Sequence, residues 1–271
     1  MSENNSTERS GIYYRKTGSG PAIILLHGFP ASGGLWRNIW GGLSVSNTVI
    51  TPDLPGSGNS PLKGAASISD MAEMIKEIMD REQLERAMIA GHSMGGYIAL
   101  AFAGLYPQKV AGLSLVHSTP EADDDEKFKT RQKAIALIEK GGRQGFINQM
   151  VPNLFSDATK QAQPELIQEQ IKGSMEIRDA SMVNFYRAMI DRKDTTQVLS
   201  QASFPVQWIC GVDDNVIPCK KILNKSYKAD INFVSFYINC GHMSMLEAPL
   251  QLTSDLAIFT SYCYTMNTRN A

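Results

Sequence analysis

An excess of charge of one sign is missing from this sequence: 26 lysines and arginines stand against 27 aspartates and glutamates, a formal net charge of -1. That balance removes the electrostatic case for nucleic acid or an anionic membrane as a partner, since both are recognised through dense positive charge. No run approaches the roughly 18 apolar residues of a membrane span, and the opening MSENNSTERSG is polar where a secretory leader would be apolar. These absences lead to the expectation of a soluble, cytoplasmic protein. Cysteine is scarce as well. Cys210, Cys219, Cys240 and Cys263 show neither CxxC nor Cys/His metal spacing, so free thiols and no metal site are expected. Neither GxxxxGK[ST] nor GxGxxG occurs in the right strand-to-helix setting, which discounts nucleotide binding. Internal repeats and low-complexity tracts are also lacking.

What is present is ordinary globular composition, 43% hydrophobic and 20% charged, in a chain long enough for one core with an inserted subregion. Continuous apolar runs mark strands buried on both faces: AIILLHG (22–28), NTVITPDL (47–54), RAMIAGHS (86–93), VAGLSLVHS (110–118), PVQWICGVDD (205–214) and INFVSFYINCGH (231–242). SGIYYRKTG (10–18) reads as an antiparallel edge piece. Helical patterns alternate with these strands, as in SISDMAEMIKEIMDREQ (67–83), where Ile68, Met71, Ile75 and Ile78 share a face. The predicted fold class is α/β, a mostly parallel central sheet of about seven to eight strands flanked by helices. The alternation stops over 119–199, where helical patterns follow one another without a strand. This predicts a helical cap inserted after the sixth strand, with 1–118 and 200–271 forming the core. The acidic run Glu121, Asp123, Asp124, Asp125 and Glu126 at its start reads as a solvated helix N-terminus.

Gly91-His92-Ser93-Met94-Gly95 follows a strand and opens an apolar helix, the setting that a GxSxG nucleophile elbow requires. A turn that tight strains the central residue and leaves no room for side chains two positions before and after it. Ser93 then stands exposed above a helix N-terminus, and the Met94 backbone N–H is free to donate to an oxyanion.

With that elbow, His27-Gly28-Phe29-Pro30 after one strand, Asp53-Leu54-Pro55-Gly56-Ser57-Gly58 after the next and Gly241-His242 near the end, the chain resembles the α/β-hydrolase superfamily, in its serine-nucleophile carboxylesterase and enol-lactonase-like branch. The resemblance covers nearly the whole chain, with the four blocks in the family's order. It implies that Phe29 supplies the second oxyanion N–H and that His27 has a structural role. Ser93 also differs from the aspartate nucleophile of the dehalogenases and epoxide hydrolases of this fold.

A serine hydroxyl needs a base to accept its proton, and histidine suits the task. Only His27, His92, His117 and His242 are available. His242, in INCGHMSMLEAP, resembles the family's catalytic histidine loop; His92 is the variable elbow position, and His117 reads as a satisfied, partly buried side chain. The base in turn needs a carboxylate to fix its tautomer. The family spacing after Gly211 selects Asp214, with Asp213 the competing choice. Some relatives carry the acid after the strand that here ends Leu115-Val116-His117-Ser118, but no carboxylate stands there.

The expected activity is cleavage of a carboxylic ester or lactone of a small, moderately apolar substrate through an acyl-enzyme on Ser93, with no cofactor. Trp36, Phe146, Met150, Phe185 and Met189 are the candidate substrate contacts, although apolar residues at helical spacing equally serve to pack a cap. The same triad also fits carbon–carbon bond hydrolysis, thioester cleavage or acyl transfer. A ligand receptor on this fold is the non-enzymatic alternative.

Overall fold

Aliphatic and β-branched runs with no polar side to turn outward can only be covered on both faces, and they form the middle of the sheet. In the computed structural model of the chain, which describes residues 4–5 and 11–269, the strands are β1 (Asn4–Asn5), β2 (Tyr14–Thr17), β3 (Ala22–Leu26), β4 (Thr48–Pro52), β5 (Ala87–His92), β6 (Val110–Val116), β7 (Val206–Gly211) and β8 (Asn232–Tyr237). Their order is β1-β2-β4-β3-β5-β6-β7-β8. β1 and β2 pair antiparallel, whereas β3 to β8 form a parallel sheet with β4. The seven strands read from the sequence are all present. The two-residue β1 adds an eighth and makes β6 the sixth strand in chain order.

β3, β5, β6 and β7 are buried at every position. β8 is not, contrary to the reading of its run as buried on both faces. It forms the sheet edge, and Phe233, Val234 and Phe236 are 37%, 36% and 43% exposed.

The helices are α1 (Arg37–Leu43), α2 (Ile68–Arg81), α3 (Met94–Leu105), α4 (Asp125–Glu139), α5 (Arg143–Met150), α6 (Asp157–Ala162), α7 (Pro164–Met175), α8 (Asp179–Asp191), α9 (Thr196–Ser200), α10 (Cys219–Ser226), α11 (Ser244–Glu247) and α12 (Pro249–Arg269). α2 begins where Ser67 and Asp70 form a reciprocal capping box, and it buries Ile68, Met71, Ile75 and Ile78. Between β6 and β7 the chain runs through α4 to α9 with no strand, and α4 packs on both α5 and α8. Asp124 caps α4 by accepting from the Lys127 N–H at 2.8 Å.

Asp123 corrects the reading of the acidic run. Its carboxylate, 2% exposed, meets Arg131 at 2.6 Å and Arg192 at 2.8 Å. Arg192 also donates to the carbonyls of Glu121 and Met189, so this aspartate anchors the stretch after β6 to α4 and the end of α8. None of the four cysteines is in a disulfide. Among the described residues no helix is long and apolar enough to cross a membrane.

Candidate active site

Parallel strands deliver the residues that follow them to one end of the sheet, and every sequence block singled out above lies there. Ser93 sits between β5 and α3 at φ 51°, ψ -115°, a strained conformation for a residue with a side chain. The strain comes with close backbone approach. A Cβ on Gly91 would lie 2.3 Å from the Gly95 carbonyl oxygen, and one on Gly95 only 2.2 Å from that of Leu26. Met94 is the first residue of α3, so its N–H has no partner within the helix.

The HGFP loop runs against this elbow. A Cβ on Gly28 would come within 3.0 Å of Ser93 Cβ and 2.6 Å of His92 Nδ1. His27 holds the loop: its Nδ1 is 2.9 Å from the Gly28 carbonyl, and its Nε2 accepts from the Leu54 N–H at 3.0 Å. Burial pushes its pKa down and keeps it neutral in that bridging role. Asp53 accepts from the Gly33 and Asn59 N–H groups, both at 2.8 Å, and so ties the DLPGSG turn to its surroundings.

At the ends of β7 and β8 the two aspartates of the doublet part company. Asp213 is exposed, whereas Asp214 is buried with its Oδ2 2.8 Å from His242 Nδ1. Oδ1 of Asp214 accepts from the Val216 and Ile217 N–H groups at 2.8 and 2.9 Å. Burial alone would raise the Asp214 carboxyl, but the His242 and His117 imidazoles and their hydrogen bonds outweigh it and hold it well below the usual carboxylate range. An Nδ1–H donated to Asp214 leaves the Nε2 lone pair of His242 as the basic atom. Among the described residues none hydrogen-bonds Ser93 Oγ, a contact that in unliganded sites often forms only with substrate.

His117 differs from its reading as a satisfied, partly buried side chain. It is fully buried, its Nδ1 lies 3.1 Å from the same Asp214 oxygen, and its Nε2 has no partner. His92 is also buried, with Nε2 donating to the His242 carbonyl at 2.8 Å. Burial pushes both imidazoles below the ordinary histidine range. The donor atoms of His117, Asp214 and His242 lie within 4.8 Å of one another, compact enough to hold a metal ion. The two contacts have hydrogen-bond lengths and converge on one oxygen, however, and a carboxylate bridging two imidazoles accounts for them.

Residues 21–147 match the family model described as alpha/beta hydrolase fold. A thermophilic esterase from Thermogutta terrifontis, solved with malate bound, superimposes with a TM-score of 0.88 over 97% of this chain and 98% of its own, at 25% identity. This chain is an α/β-hydrolase-fold protein. Among its sequence relatives, the dihydrolipoyllysine-residue acetyltransferase component of the acetoin cleaving system of Pseudomonas putida is 29% identical over 248 residues, 89% of this chain. The chain spans 63% of that relative's length. A 2-hydroxy-6-oxo-6-phenylhexa-2,4-dienoate hydrolase from Comamonas testosteroni is 27% identical over 257 residues, 87% of this chain and 86% of its own.

Within this hydrolase fold the candidate substrate contacts take different places. Phe185 is fully buried with its ring 6.3 Å from that of Phe29, and Phe146 meets Tyr186, whose ring lies tilted 4.6 Å from that of Phe29. Met189 is buried and its sulfur receives an N–H of Arg131 at 3.0 Å, while Met150 is half-buried against the core. Trp36 is wholly buried, its ring 6.4 Å from that of His92.

Sequence reasoning missed Glu247. One of its oxygens accepts from the Gly241 and Met243 N–H groups at 3.0 and 3.1 Å, on either side of His242; the other accepts from Ser156 N–H and Thr159 Oγ1, both at 2.9 Å. The His242 N–H itself donates to the Leu154 carbonyl at 2.7 Å. The helical insertion therefore touches the histidine loop directly. The only signal for Glu247 is an acidic residue five positions after the histidine.

Proposed function

We propose that this chain is a serine hydrolase that cleaves a carboxylic ester or lactone of a small, moderately apolar substrate. The observation that carries the reading is a strained Ser93 at the head of α3, in a site where the one buried carboxylate of the doublet engages His242 at 2.8 Å. In the proposed cycle His242 Nε2 takes the Ser93 proton as Oγ attacks the acyl carbon. The N–H groups of Phe29 and Met94 receive the developing oxyanion, each such donor contributing about 2.7–4 kcal/mol to the transition state. His242 then protonates the leaving oxygen, and a water activated by the same imidazole releases the acid and regenerates Ser93. Asp214 fixes the tautomer and offsets the positive charge on the ring. The cycle uses no cofactor. The stretch 119–199 acts as a cap over the site, and Phe146, Met150, Phe185 and Met189, with Trp36 behind the elbow, shape the apolar space for the acyl group.

The relatives named for an acetyltransferase component and for a dienoate hydrolase favour one second reading, in which the same triad transfers an acyl group or cleaves a carbon–carbon bond. Hydrolysis of p-nitrophenyl esters from acetate to decanoate separates the two. The expected outcome is multiple turnovers with a chain-length optimum, abolished by Ser93→Ala. Turnover that persists in Ser93→Ala contradicts the assignment. A wild-type protein inert to every ester, yet active on a vinylogous diketone, establishes the second reading.

A further inference from the structure

The end of β6 brings a second imidazole to the carboxylate that serves His242. His117 Nδ1 and His242 Nδ1 lie 3.1 and 2.8 Å from the same Asp214 Oδ2, while Oδ1 is already occupied by two backbone N–H groups. His117 holds this place at φ 50°, in the left-handed region that few residues with a side chain adopt. Its side chain is 0% accessible to water, Nδ1 also lies at a long 3.4 Å from the Gly211 backbone nitrogen, and Nε2 has no partner. A strained backbone and an unpaired buried nitrogen both cost stability, and such costs gather at functional sites.

We propose that His117 is a positioning residue of the acyl-transfer site, a neutral second donor that fixes Asp214 Oδ2 and takes up part of its charge. The proposal rests on the reading of Ser93, His242 and Asp214 as nucleophile, base and acid. An Asp214 oxygen that already accepts one N–H has less charge left to stabilise an imidazolium at His242. Losing that donor changes the charge that Asp214 presents to His242, which the pH dependence of the reaction reads. The titratable groups facing His117 are Asp214 after β7, His242 after β8 and His92 in β5, with ring centroids 5.5 Å away for His242 and 6.0 Å for His92. Glu247 in α11 adds a more distant negative charge.

Two substitutions separate this role from packing. His117→Leu keeps the branching at Cγ and removes the donor. His117→Asn keeps a donor on the same atom position and suits a left-handed backbone. The full chain is labelled with a fluorophosphonate probe, and the second-order rate at Ser93 is followed against pH. The expected result for His117→Leu is an acidic limb moved to higher pH by about half a unit or more and a plateau lowered about 3- to 10-fold; His117→Asn restores both. In parallel, proton NMR of the wild type in water is expected to show two far-downfield imidazole N–H resonances that both vanish in Asp214→Ala, one of them also absent from His117→Leu. Superposed pH profiles for wild type and His117→Leu overturn the proposal while leaving the triad standing, as does a single Asp214-dependent resonance that survives His117→Leu. A wild type that takes no label at any pH removes the triad reading, and the proposal with it.

Discussion

Asp214 concentrates the site's charge in one residue: four hydrogen bonds converge on a carboxylate that burial would otherwise neutralise. Asp214→Asn keeps the shape but favours the wrong tautomer of His242. Steady-state ester hydrolysis is expected to fall about a thousand- to ten-thousand-fold. Asp213→Asn, at an exposed position, is expected to leave activity within about 2-fold; equal losses in the two variants would contradict the assignment. Ser93, His242 and Asp214 stand out in the sequence because backbone geometry and family spacing restrict those positions locally. His117 and Glu247 escaped it because their roles arise from convergence in space. His117 meets a carboxylate 97 positions along the chain, and Glu247 reaches Ser156 across 91.

At the scale of elements, the strands were legible because a run such as AIILL has no polar face to expose, whatever its position in the sheet. Whether an apolar run lies inside or at the edge is a property of topology, which is why the run of β8 reads as buried although it forms the sheet edge. The acidic run before α4 shows the same limit in reverse. Local composition describes Asp124, which caps the helix, but not Asp123, whose second partner Arg192 lies 69 positions away. Asp123→Ala leaves two nearly buried guanidinium groups without their common carboxylate. It is expected to destabilise the fold by about 3–5 kcal/mol, measured by urea denaturation, whereas Asp124→Ala should cost about 1 kcal/mol as a lost helix cap. Similar small losses in both would mean that the Asp123 cluster is solvated.

Across the whole molecule, His27, His92 and His117 are buried in the neutral form, and burial lowers the pKa of each. The unfolded chain takes up protons at these positions below about pH 6.5 while the folded chain does not. Stability is therefore complete above that pH and is lost as the pH falls through it. Asp214 acts in the same direction further down, since its lowered pKa means that the unfolded carboxylate protonates first. Melting temperature is expected to be flat from about pH 8 to 7 and to drop steadily below about pH 6.5; a flat profile through that range would show that these histidines are protonated as readily in the fold as in water. The fold and the order of its functional blocks were legible in the sequence at this scale, because strand, turn and helix signals repeat in one consistent order. The space proposed for the substrate was not, since it depends on how α5 and α8 pack against Phe29.

Activation of a Ser93 nucleophile by His242 is tested by reacting the protein with a fluorophosphonate and locating the adduct by peptide mass spectrometry. One adduct is expected, on Ser93, and its formation is lost in His242→Ala. No adduct, an adduct on another serine, or labelling of Ser93 at the same rate in His242→Ala would contradict it.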